Sequence, residues 1–308
     1  MLTKIATYNS ENRKFSINEI KLNELKPTEV LIKQTAIAIN EIDVIDSKNI
    51  ANLGYAACGE VESIGEAVDW LKSGDRVAYV ADINSYCSHK ILDNSKLIKV
   101  PSNINSNAAA GILYRGCVAH MAAVRAFIVK PGMNILVDGI HSATSTFIAW
   151  MAKKCGAFVI GIAPENISVT SEICNVIVKN DQDLIKNILN ATENIGCHGY
   201  FSSLITIPIE KIIEALTVSG VIVDHIGSIG SINMNQLMCK SLFITAPSMM
   251  DYKTIKSELI LSATEVWGMM INEKSLQMTY SEYPFDKIEN AFAEVADAKS
   301  SSIVILKP

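Results

Sequence analysis

Short runs of alternating polar and apolar residues dominate the first third of the chain. After the turn former Pro27, the stretch Glu29-Val30-Leu31-Ile32-Lys33-Gln34-Thr35-Ala36-Ile37 predicts a strand. Gly59-Glu60-Val61-Glu62-Ser63-Ile64-Gly65 alternates at period two. Lys72-Ser73-Gly74-Asp75-Arg76-Val77-Ala78-Tyr79 reads as a turn feeding a further strand. From Ala108 the pattern changes: Ala119 to Val129 is helix-prone, and Lys130-Pro131-Gly132 breaks it.

Beyond residue 134 the period switches repeatedly between strand and helix. Ile135-Leu136-Val137 predicts a strand, a tight turn follows, and a helix runs from about Ser145 through Trp150 to Lys154. Cys155-Gly156-Ala157 ends that helix, and Phe158-Val159-Ile160 predicts the next strand. Helices near Asp181 to Leu189 and Ile209 to Leu216 alternate with strands at Gly199-Tyr200-Phe201 and Val221-Ile222-Val223. Such alternation predicts an α/β domain, a doubly wound parallel sheet with helices on both faces. An amphipathic helix over Asp286 to Ala298 and a strand at Ile303-Val304-Ile305-Leu306 close the pattern.

A strand, turn, helix and strand in that order open a dinucleotide-binding fold, in which a glycine-rich turn lets the backbone meet a pyrophosphate at a helix N-terminus. Here the turn reads Gly139-Ile140-His141-Ser142-Ala143-Thr144-Ser145. The hydroxyls of Ser142, Thr144 and Ser145 either help to hold an anion at the helix N-terminus or only cap the helix; the sequence leaves both open.

Composition narrows the partners. The 308 residues are 49% hydrophobic and 19% charged, as in globular proteins, with ample length for a core. A formal charge of -5, without a basic stretch, argues against nucleic acid. The N-terminal segment lacks the apolar core of a signal peptide, and no apolar run is long enough to span a bilayer. Seven cysteines stand singly, with no C-x-x-C pair. Reduced thiols in a cytoplasmic protein are therefore expected, and a zinc ribbon is not.

Several segments in order resemble the medium-chain dehydrogenase/reductase superfamily and, within it, the zinc-independent, zeta-crystallin-like quinone oxidoreductases. They are Ala36-Ile37-Ala38-Ile39-Asn40-Glu41-Ile42-Asp43, Ala57-Cys58-Gly59-Glu60-Val61, Lys72 to Val77, Val129-Lys130-Pro131-Gly132, Ala152 to Ala157, and Ser241 to Ser248. The resemblance implies a GroES-like β-rich catalytic domain (1–112 with 248–308) split by a Rossmann domain (113–247). It implies a cleft for NADP(H) or NAD(H) and a small-molecule substrate (a quinone, enone or small carbonyl), and it implies a homodimer. Asn40 and Asp43 match family positions near the nicotinamide, and Tyr55 stands where relatives carry Thr or His. With Gly54-Tyr55-Ala56 in place of zinc ligands, no metal is expected there.

The departures from the family gather at the cofactor. His141, Ser142, Ala143, Thr144 and Ser145 replace the glycine-rich turn. Glu165 stands where a 2′-phosphate-binding residue is usual, and reads either as an acceptor for a ribose hydroxyl or as a solvated carboxylate. Lys179 replaces a phosphate-contacting Tyr and is either a compensating cation or an exposed lysine. Gly227 and Lys299 complete the positions expected at the cofactor. Arg115-Gly116-Cys117-Val118 lacks the usual Thr hydroxyl, Ala246 replaces an Arg, and Tyr86 and His141 join Tyr55 as candidate proton donors. Two functions follow: an NAD(P)H-dependent reductase, or a catalytically silent member that keeps the fold for binding.

Overall fold

A computed structural model describes residues 1–48, 51–167, 172–203, 207–252, 255–272, 278–297 and 302–308, the side chain of Asn272 excepted. In chain order the first strands are β1 (Leu2–Asn9), β2 (Lys14–Lys21) and β3 (Glu29–Ile39), followed by helix α1 (Glu41–Asp46). Then come β4 (Ala56–Ile64), β5 (Arg76–Val80), β6 (His89–Asp93), β7 (Ile98–Lys99) and α2 (Ser106–His120), which a π-helical turn, Met121–Ala126, extends. The middle holds β8 (Asn134–Val137), α3 (Ala143–Lys154), β9 (Phe158–Pro164), β10 (Val176–Asn180), α4 (Leu184–Ala191), β11 (Cys197–Phe201), α5 (Ile209–Ala215), β12 (Leu216–Val223), α6 (Met234–Met238) and β13 (Phe243–Thr245). The rest is α7 (Met249–Tyr252), α8 (Lys256–Asn272), β14 (Tyr280–Pro284), α9 (Ile288–Asp297) and β15 (Ile303–Lys307).

The chain divides into two compact units, Met1–Cys117 with Met250–Pro308, and Val118–Met249. The first unit holds the β1–β2 hairpin and a seven-stranded sheet in the order β14-β15-β3-β4-β5-β7, with β6 also paired to β3. All its pairings are antiparallel except β14 with β15. β3 is the spine: its last four residues, Ala36 to Ile39, are all buried, so both faces of the strand are covered there. Ile32, Ile37, Ile39, Val77 and Tyr79 pack with Ile288 and Phe292 of α9 into one core. Each fully buried aliphatic side chain of this kind contributes about 1.5–3 kcal/mol.

The second unit is a six-stranded parallel sheet in the order β10-β9-β8-β11-β12-β13. Numbered within the unit, that order is 3-2-1-4-5-6, the Rossmann arrangement, and the strand order reverses between β8 and β11. Leu136, Ile160, Tyr200 and Ile222 from four adjacent strands form its core with Ile188 and Ile212 from α4 and α5. Ligands in such sheets bind at the carboxyl edge, where the order reverses.

Several boundaries differ from the pattern expected of the sequence. α3 starts at Ala143 rather than Ser145, because Ser142 Oγ accepts from Ser145 N at 3.2 Å and caps it. α2 begins at Ser106, well before the expected 119–129, and Phe127 is already extended. Leu216, expected to end a helix, opens β12. Ala298, expected in the last helix, lies outside the described residues.

Candidate active site

In the first unit the candidate residues surround the start of α1. Asn40 is its N-cap and has no exposed surface, and its side-chain Nδ2 has no acceptor among the described residues. Asp43, equally buried, turns back on the helix start: Asn40 N donates to Asp43 Oδ2 at 2.7 Å. Gly54 N donates to the other oxygen, Oδ1, also at 2.7 Å. Gly54 has φ +91°, and a Cβ there would meet Tyr86 N at 2.8 Å, so only glycine brings this amide to the carboxylate. Burial pushes Asp43 up to about 7, against the pull of both amides, the nearby Tyr86 hydroxyl and the charge of Arg115.

Arg115 anchors the arrangement from α2. Its guanidinium donates to Gly111 O at 2.7 Å and Ile39 O at 3.0 Å, and lies 3.9 Å from Glu41. Tyr86 is fully buried, its hydroxyl beside Asp43 but outside hydrogen-bonding geometry. Tyr55 is 2% exposed and donates its hydroxyl to Asp46 Oδ2. Burial and that carboxylate push its pKa far above the ordinary value, so it holds its proton. The structure thus brings Asn40, Asp43, Tyr55 and Tyr86 together.

In the second unit the turn from β8 to α3 lies at the reversal of strand order. Gly139 has φ +62°, and a Cβ added to it would lie 2.7 Å from Ser203 Cβ, so the turn rests directly on the residues after β11. Ala143, Thr144 and Ser145 are buried, while His141 and Ser142 are half-buried. Ser142 therefore does act as a helix cap. The α3 N-terminus still presents the positive end of its dipole at this edge.

Sequence reasoning missed the carboxylate beneath that turn. Asp138, 4% exposed, accepts from Gly139 N at 2.7 Å, Ser203 Oγ at 3.1 Å and Tyr200 OH at 3.2 Å. Burial pushes it up to about 6 against these donors and the backbone amide of Ile207. The available signal was a charge ending the apolar run Ile135-Leu136-Val137. Asp224 forms a second such knot after β12, accepting from Ser202 Oγ at 2.8 Å, Ser228 N at 3.0 Å and Ile229 N at 3.1 Å. Gly227, φ +72° and exposed, lies in the loop that Asp224 shapes.

Glu165 is exposed directly after β9. Lys179, on β10, donates its ammonium to Ile167 O and, at 3.4 Å, to Pro164 O. Lys299 lies outside the described residues.

Residues 26–132 match the alcohol dehydrogenase GroES-like domain. Along most of its length the chain is similar to a quinone oxidoreductase of Pseudomonas aeruginosa, 23% identical over 92% of each chain. It is also similar to a 2-haloacrylate reductase of a Burkholderia species, 24% identical over 80% of each. Among solved structures, Escherichia coli quinone oxidoreductase in complex with NADPH superposes with a TM-score of 0.87 at 20% identity, covering 99% of this chain and all of that one. The chain thus carries the alcohol dehydrogenase GroES-like domain over residues 26–132. Beyond that domain it is similar in sequence and in fold to quinone oxidoreductases.

Proposed function

We propose that the chain is an NAD(P)H-dependent reductase of quinone-oxidoreductase type, delivering hydride to a quinone, enone or small carbonyl. The carrying observation is the α3 N-terminus at the strand-order reversal of a Rossmann sheet, in a chain similar to reductases along most of its length. In this reading residues 1–112 with 248–308 carry the chemistry and 113–247 the nucleotide.

The dinucleotide supplies the hydride when bound. The turn from His141 to Ser145 and the α3 dipole would hold its pyrophosphate, with Gly227 among the outer contacts. The N-terminus of α3 fits that group. The fit is tighter than at a glycine-rich turn, and Asp138 below opposes negative charge when ionised.

Asn40, whose buried Nδ2 lacks an acceptor among the described residues, is the donor proposed for the reacting partners. Asp43 holds Asn40 in place through its backbone amide. Tyr55 keeps its proton at neutral pH. The donors at this site are amide, carboxyl and phenol, with neither thiolate nor imidazole among Asn40, Asp43 and Tyr55, so the reaction is proposed to run without zinc.

We further place the protein in the cytoplasm as a homodimer. The described residues contain no helix long and apolar enough to cross a membrane. Phe243 and Ile244 are exposed on the edge strand β13, a surface suited to a second copy. The silent-member alternative gains no support from the relatives, which bear reductase names.

The test is turnover. Purified protein with saturating NADH or NADPH should reduce at least one member of a panel of benzoquinones, enones and small aldehydes. A flat absorbance trace across the whole panel would sink the proposal.

A further inference from the structure

Building on the reductase reading, we propose that this chain selects NADH over NADPH, with Glu165 as the discriminating residue. In Rossmann sheets an acidic side chain about 20 residues beyond the turn accepts from the adenosine ribose 2′-hydroxyl, whereas an arginine accommodates a 2′-phosphate. Glu165 stands at that spacing from Ser145, exposed, at the carboxyl edge of β9. β9 is held beside the turn: Val137 pairs with Gly161, and Ile140 N donates to Ile162 O at 3.0 Å. The Glu165 backbone therefore follows three residues after a carbonyl that is bonded to the turn itself.

The cation next to this position is turned inward. Lys179 pairs in register with Ala163, and its ammonium is drawn under the loop after β9, onto the carbonyls of Ile167 and Pro164. Two of its three N–H donors are thereby engaged, and a 2′-phosphate would have to break those bonds to recruit it. Asp181, immediately after β10, adds a second carboxylate at the same edge, where it accepts from Asp183 N at 2.9 Å. Two carboxylates repel a 2′-phosphate, while a ribose diol offers hydroxyl donors to them.

The experiment is an equilibrium titration of the full chain with NADH and with NADPH, followed by calorimetry and by Trp150 fluorescence. NADH should bind at least tenfold tighter, a difference of about 1.4 kcal/mol. Glu165→Ser, at an exposed position, should keep the thermal unfolding midpoint and narrow the ratio at least fivefold, mainly by improving NADPH. Equal or tighter binding of NADPH by the unaltered chain overturns the proposal, as does a ratio that Glu165→Ser leaves unchanged. If neither nucleotide binds at millimolar concentration, the reductase reading falls and the preference with it.

Discussion

Asp43 and Asp138 are both buried carboxylates with raised pKa values, each set at the start of a helix or a turn, yet they are held by different chemistry. Asp43 takes one backbone amide on each oxygen, from residues 40 and 54, with Arg115 nearby. Asp138 takes the amides of Gly139 and Ile207 and, in addition, two hydroxyls, from Ser203 and Tyr200. Backbone amides are fixed by the fold, whereas hydroxyls rotate and accept other partners. The first unit has thus built a rigid seat for Asn40, while the second has placed an adjustable negative charge beneath the turn expected to meet a phosphate.

The largest effect should come from breaking the rigid seat. Asp43→Ala leaves two buried amides without acceptors and should lower stability by about 3 kcal/mol or more in denaturant unfolding. A loss below about 1 kcal/mol would show that water replaces the carboxylate. Next is Gly139→Ala, which forces a Cβ onto Ser203 at positive φ. It should cost about 2 kcal/mol and abolish dinucleotide binding measured by titration.

Titration separates the two carboxylates further. Both folded-state pKa values are raised, so each carboxyl contributes stability below pH 4 that is lost as pH rises through its folded value. For Asp43 the loss runs from about pH 4 to 7, and for Asp138 from about pH 4 to 6. Dinucleotide affinity should also rise several-fold between pH 7 and pH 5 as Asp138 protonates, and Asp138→Asn should flatten that slope. An unchanged slope in the variant would remove Asp138 from the binding electrostatics. The smallest effect is Ser142→Ala, about 1 kcal/mol of lost helix capping, visible as a modest drop in thermal midpoint.

The two units also differed in how legibly the sequence announced them. Strands such as β3, β4, β8 and β9 were readable from period-two runs and apolar triplets such as Ile135 to Val137, because burial on one or two faces imposes those periods, whereas β1, β2, β6, β10 and β14 were not read. The helix α8 was not, since its apolar residues Leu259, Val266 and Trp267 are interleaved with exposed Ile260, Leu261 and Ile271, which blurs the helical stripe. Asn40, Asp43 and Tyr55 were named through family resemblance, and the structure brings them together. The anchors Gly54 and Arg115 were not foreseen in their roles, because an amide across a loop and a guanidinium reaching Ile39 O leave no local pattern. Asp138 leaves no local pattern either, because its partners Tyr200 and Ser203 arrive only when β11 pairs with β8.

The placement of β15 bears on how the chain is made. The second unit is continuous in sequence, so its sheet can close while later residues are still inside the ribosome. The first unit waits: β3, the strand that leads directly into Asn40 and Asp43, gains its partner β15 only when Ile303 to Lys307 has emerged. During synthesis the middle of the protein therefore matures before its beginning. Until then the edge of β3 that β15 will cover is a segment for chaperones to shield.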